Sequence, residues 1–205
     1  MRYNKAEESI RERLLVAGIK ELENHGFNDF SLRRVANICN VSCAAPYKHF
    51  KNKEELLIAL MDYIKTRWYM LRDQVLAVYD KAPTKKRLTE LCVAYVRFLL
   101  ATPSYMTILT LHSDEGSAVS GIRTRVSEPI TEMINDIFTG ASTELTQKVL
   151  YSIRAYMYGT VCMIRNKEVH DNEDAIAIFR DIVGRIIDDA ELALKAITEG
   201  EDDIQ

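Results

Sequence analysis

Helical periodicity is the feature of this 205-residue chain that most restricts its fold. Apolar residues recur every three or four positions in Ile10, Leu14, Ala17 and Leu22, then in Leu56, Leu60, Ile64, Trp68, Leu71 and Val75. The pattern returns in Val149, Ile153, Tyr156, Thr160 and Met163, and again in Ile176, Phe179, Val183, Ile186, Ala190 and Leu194. Steps of that size put one apolar stripe along a helix. No sustained two-residue alternation and no Asn-Gly or Asp-Gly hairpin signal competes with it. The chain reads as all-α.

Punctuation divides the helices. Gly26 follows Glu23-Asn24-His25 as a left-handed stop, Ser31 caps a short helix, and Asn52 with Glu55 makes a capping-box-like start to a long one. Thr102-Pro103 reads as an N-cap with proline in the first turn, and the stretch from His112 to Gly121 is the most loop-like. About nine helices follow, near 5–24, 32–38, 42–48, 52–79, 85–101, 103–112, 119–139, 142–168 and 172–198. The four cysteines are scattered and no ligand spacing completes a zinc set, so reduced thiols and no structural metal are expected. No stretch is apolar enough to span a bilayer and the N-terminus lacks a secretory h-region, so a cytoplasmic protein with no membrane partner is expected.

The formal net charge of −3 argues superficially against a nucleic-acid binder. Its distribution says otherwise: residues 1–53 hold 10 Lys+Arg against 6 Asp+Glu, a net of +4, and the remainder a net of −7. A basic module is joined to an acidic body.

Residues 31–50, SLRRVANICNVSCAAPYKHF, carry the most information. Two short helices meet there at Cys39-Asn40-Val41, with small Ala36 at the approach and Val35, Ile38 and Val41 facing inward, the layout of a helix-turn-helix. Asn40 is the residue tolerant of positive φ that such a turn needs. Ser42, Cys43, Ala44 and Ala45 leave the leading face of the second helix small, and Pro46 sits in its first turn. Tyr47, Lys48 and His49 then supply donors for phosphate oxygens. Arg33 and Arg34 begin the preceding helix and Lys53 the following one, so cations and aromatics at successive helix starts form one phosphate-clamping face.

Residues 10–57 resemble the DNA-binding domain of the TetR family of bacterial transcriptional regulators. The matching elements are Gly26-Phe27, Ser31, Arg33, Ala36, Val41-Ser42, Tyr47, His49-Phe50, Lys53-Glu54 and Leu56-Leu57. The family's usual Ala-Gly at the turn is Cys39-Asn40 here, and the head of the recognition helix is Cys43-Ala44-Ala45-Pro46, which leaves base preference open. The resemblance implies a DNA-binding domain over 1–53 and a helical ligand-binding and dimerisation domain over 54–205. It implies DNA contacts by Ser31, Arg33, Ser42, Cys43, Ala44, Pro46, Tyr47, Lys48, His49 and Lys53. It further implies a homodimer on a double-stranded pseudo-palindromic operator, acting as a repressor released by a small-molecule effector, with the last two helices packing across the two-fold axis.

Within the second part, Arg72, Tyr95, Phe98, Tyr105, His112 and Tyr156 are the candidate effector contacts, a mostly apolar set with a few polar handles. Aromatics at helical spacing serve equally as core. No Glu-x-x-His pair, nucleophile elbow, P-loop or dinucleotide fingerprint is present, so neither an enzyme nor a cofactor is expected. The competing reading is a helical interaction module of the same fold that acts through a protein partner without DNA.

Overall fold

The computed structural model describes residues 9–26, 28–109 and 130–202. Among these every regular element is helical. Phe27, His112 and the loop-like stretch around His112 lie outside the described residues. The chain forms two compact units, one of residues 1–67 with 102–125, the other of 68–101 with 126–205.

In the first unit, α1 (Ile10–His25) begins behind a Ser9 cap rather than at residue 5. Ser9 Oγ accepts the Glu12 N–H at 3.2 Å and Glu12 Oε2 accepts the Ser9 N–H at 3.1 Å, a complete capping box. The helix stops at Gly26, whose φ of 71° and ψ of −176° admit glycine almost alone. Leu14, Leu15, Ala17 and Leu22 are buried on one stripe. Gly18 belongs to that stripe because a Cβ there would stand 3.1 Å from Leu60 Cδ1.

Helix α2 (Leu32–Ile38) is capped by Ser31 and buries Leu32, Val35 and Ala36. Helix α3 (Lys53–Val78) starts as the Asn52/Glu55 spacing predicts, with the Glu55 N–H on Asn52 Oδ1 at 2.8 Å. The Glu55 carboxylate reaches back to the Lys51 N–H at 2.7 Å. Its residues 53–67 complete the first unit with α5 (Pro103–Leu109), which packs on α1.

The second unit holds the rest of α3, α4 (Thr84–Ala101), α6 (described over 130–137), α7 (Thr143–Arg165) and α8 (Glu173–Asp202). Trp68, Leu91, Tyr95, Val96, Ile153, Met157, Val161, Phe179 and Val183 are buried in its core. Helices α4 and α8 run antiparallel, tied by Lys85–Asp188, Glu90–Arg180 and Arg97–Glu173, in which each step forward on α4 is a step back on α8. Tyr156 of α7 stacks on Phe179 of α8, centroids 5.3 Å apart and planes within 2°. Among the described residues, the helix's own backbone aside, nothing lies within 4 Å of a Cβ built on Gly159, and at Gly184 only Lys85 Cε, at 3.9 Å, does so.

Candidate nucleic-acid interface

The turn after α2 is built by backbone hydrogen bonds that one left-handed residue makes possible. Asn40 has φ 56°, as its position in the sequence predicts. Its N–H donates to Asn37 O at 3.0 Å and the Val41 N–H to Ala36 O at 3.1 Å. These are the two bonds of a Schellman motif, so the last carbonyls of α2 are satisfied and the chain reverses sharply. Arg13 seals the turn from α1: its Nη2 donates to Cys39 O at 2.6 Å while Cys39 Sγ–H donates to Arg13 O at 3.3 Å. Burial pushes the Cys39 thiol above its usual range, with the Arg13 charge working the other way.

The predicted helix over 42–48 is shorter and tighter than expected. It is a 3₁₀ turn at Pro46–Lys48 preceded by a turn over 43–45. Proline is the cause, since Pro46 has no N–H to give to Ser42 O, and that carbonyl instead accepts from Ala45 at 2.9 Å. The Lys48 N–H follows the same three-residue step to Ala45 O at 3.1 Å. Buried Pro46 and Phe50 anchor the segment. Pro46 therefore sets the turn from beneath and its ring is not on the exposed face.

Ser42, Cys43, Ala44, Tyr47, Lys48 and His49 are all exposed, Tyr47 by 59%. Arg33 is exposed as well. A small leading edge followed by a phenol, an ammonium and an imidazole is thus presented on one continuous segment. Three other basic or capping groups are already engaged. Ser31 caps α2 and its own N–H donates to Glu21 Oε1 at 3.0 Å. Lys53 Nζ donates to Asn28 O at 3.3 Å and lies 5.8 Å from the centre of the Phe30 ring. Arg34, expected on the phosphate face, is turned inward: its Nε and Nη2 meet Glu21 Oε1 at 2.7 and 2.6 Å, and Nη2 also donates to Asp29 O. The Glu21 hydrogen bond holds the Arg34 guanidinium above its usual range.

Glu21 is what sequence reasoning missed. It occupies the apolar stripe of α1 with Leu14, Gly18 and Leu22 and is only 1% exposed. A carboxylate on a stripe otherwise destined for burial, one short loop away from two arginines, was the available signal.

Of the candidate effector contacts, Arg72, Tyr95, Phe98 and Tyr156 belong to the second unit and Tyr105 to the first. Tyr95 and Phe98 pack with Trp68, ring centroids 4.7 Å from Trp68 to Tyr95 and 5.5 Å to Phe98. Arg72 lies over the Tyr69 ring at 4.5 Å and pairs with Asp73 at 2.6 Å. Tyr156 sits on Phe179, its phenol pushed up by burial and by Asp181 while a Thr160 hydrogen bond works the other way. Tyr105 is fully buried and belongs to the first unit. Two hollows in the second unit, of about 330 and 480 Å³, are lined by other residues, the first around Arg97 and Glu173 and the second around Phe138 and Thr143. Among the described residues no group of three or more His, Cys, Asp or Glu side chains could hold a metal ion, and no helix is long and apolar enough to cross a membrane.

Comparison with known proteins agrees with this geometry. Residues 14–60 match the family model described as bacterial regulatory proteins, tetR family. No curated protein matches the chain by sequence. Among solved structures it is similar to a transcriptional regulator from Rhodococcus sp. Rha1, with TM-score 0.70 and 16% identity over 87% of this chain and 96% of that one. A TetR family transcription regulator from Marinobacter aquaeolei VT8 gives TM-score 0.63 and 18% identity over 86% of this chain and 94% of that one. The regulator FadR from Bacillus subtilis, in complex with stearoyl-CoA, gives 0.66 and 14% over 85% and 96%. Residues 14–60 thus match the bacterial tetR regulatory family, and the chain shares the fold of solved TetR family regulators.

Proposed function

We propose that the protein is a homodimeric repressor that binds a pseudo-palindromic DNA operator and leaves it when a small molecule binds. The observation that carries the reading is the exposed segment 42–49, small at its head and rich in donors behind, held on buried Pro46 and Phe50. Ser42, Cys43 and Ala44 would face base edges, and Arg33, Tyr47, Lys48 and His49 the phosphates. Residues 1–53 would do the reading and residues 54–205 the sensing and pairing.

A second copy would pair through α7 and α8, where Tyr151 is 76%, Ile178 59% and Leu192 64% exposed. Two reading heads would then enter successive major grooves about 34–36 Å apart. An effector shifts such an equilibrium only by its difference in affinity for two conformations, so a ligand bound equally by both would leave operator affinity unchanged. Trp68, the one tryptophan, is buried against Tyr95 and Phe98 and gives a fluorescence signal for ligand screening. FadR holds stearoyl-CoA, which makes acyl-CoA thioesters the first compounds to screen.

The test is a gel-shift titration with random-sequence duplex at low salt, with sedimentation to read the oligomer. Retardation by a dimer is expected. A monomer, or a chain that retards no duplex, would favour the interaction module acting through a protein partner.

A further inference from the structure

Glu21 is the only charged side chain in the buried class among the described residues. Removing a carboxylate from water costs several kcal/mol even when it is paired, and a buried ion pair commonly adds little net stability over an apolar replacement. Its directional effect is distinct. Leu32, Val35 and Ala36 hold α2 by apolar packing, which is non-directional and would tolerate rotation of a helix only seven residues long. A carboxylate does not tolerate it. One Glu21 oxygen receives the Ser31 N–H at 3.0 Å and two guanidinium nitrogens of Arg34 at 2.7 and 2.6 Å. Arg34 in turn donates to Asp29 O, and His25 Nε2 stands 3.7 Å from the other Glu21 oxygen. The planar fork ties the first turn of α2 to one azimuth on α1. At its other end α2 passes, through the Schellman turn at Asn40, into the exposed segment 42–49.

We propose that Glu21 is a positioning residue for reading DNA sequence: it fixes the rotation of α2 on α1, and with it the placement of segment 42–49 on base edges, without touching DNA. The inference rests on the DNA-binding reading above. Sequence preference and general affinity separate here, because base contacts demand placement while phosphate attraction follows charge, which loss of the Glu21 carboxylate makes more positive.

The experiment selects an enriched sequence from a duplex library with a randomised centre, using the wild-type chain. It then measures affinity for that duplex and for an unselected random duplex. Glu21→Gln keeps the shape and an acceptor for Ser31 but not the charge. It is expected to cut the ratio of the two affinities by about tenfold, the loss that one misplaced base contact brings. Affinity for random duplex holds or rises, because Arg34 keeps its charge and loses the carboxylate that offset it. Arg34→Lys, at a half-exposed position, keeps the charge and loses the fork, and is expected to lower the ratio in the same direction; it decides the matter alone if Glu21→Gln does not fold. Unchanged ratios in the variants overturn the proposal and leave the DNA-binding reading standing. A parallel fall in both affinities in Arg34→Lys, tracking a lost cooperative thermal transition, overturns it too. A wild-type chain that enriches no sequence and retards no duplex overturns the DNA-binding reading, and the proposal with it.

Discussion

Among the described residues, two positions place a side chain where glycine is the usual choice, and they make different predictions. Asn40, after α2, has φ 56°, and Lys167, after α7, has φ 62°. Both close the same motif: Asn40 and Val41 donate to Asn37 and Ala36, while Lys167 and Glu168 donate to Ile164 and Met163 at 3.0 and 2.9 Å. A Cβ in left-handed backbone costs about 1–2 kcal/mol, a cost that asparagine reduces by hydrogen bonding locally and lysine does not. Glycine removes the cost but loses about 0.5–1 kcal/mol to its freedom in the unfolded chain. Asn40→Ala should therefore destabilise by about 1 kcal/mol and Asn40→Gly change little, whereas Lys167→Gly should stabilise by about 0.5–1 kcal/mol. Urea unfolding followed by circular dichroism reads all three. The reasoning fails if Asn40→Ala and Asn40→Gly unfold alike, or if Lys167→Gly is the less stable form. Position 40 carries a further consequence, because a slackened turn releases segment 42–49. Affinity for the enriched duplex should fall in Asn40→Ala and hold in Asn40→Gly.

Replacing exposed Arg33 or Lys48 by alanine should weaken binding to enriched and random duplex equally and flatten log K against log salt by about 0.9 per lost phosphate contact. An unaltered slope would remove that side chain from the phosphate face. Cys92 is fully buried, and burial pushes its thiol up to about 12. It is protonated in folded and unfolded chains below the ordinary thiol value of 9.0. Between there and about 12 only the unfolded chain gives up the proton, so folding loses stability as pH rises, by about 4 kcal/mol at most. The alkaline slope of stability should be shallower in Cys92→Ala; equal slopes would show that the thiol is solvated. Arg180 Nε and Nη2 meet the Glu90 carboxylate at 2.7 and 3.3 Å, a hydrogen bond that holds the guanidinium above its usual range. A double-mutant cycle with Glu90→Gln and Arg180→Met should give about 1 kcal/mol of coupling between α4 and α8. Zero coupling would mean that the Glu90–Arg180 pair does not help to hold α4 on α8.

The reach of the sequence follows the range of the interactions. Helix type, the caps at Ser31 and Asn52, the positive φ of Asn40 and the motif over residues 31–50 rest on residues a few positions apart, and local spacing states them directly. Pro46 shows the limit of that logic. Its missing N–H is local, but the tightening of the following turn to 3₁₀ depends on which carbonyls remain in reach. Charge arithmetic located the basic module, yet it counted Arg34 and Lys53 as available to phosphate. Only the fold decides that Arg34 is spent on Glu21, 13 residues earlier, and that Lys53 meets Asn28 O, 25 residues earlier. The effector candidates meet the same limit. Tyr95, Phe98 and Tyr156 are aromatics at helical spacing whether they line a cavity or fill a core, and here they stack on Trp68 and Phe179. Sequence alone determined which elements form and which segment is the candidate for DNA, because period and cap are properties of neighbours. Tertiary structure decided which charges face outward and what fixes the reading segment in place, because an ion pair between helices depends on their packing and not on their spacing.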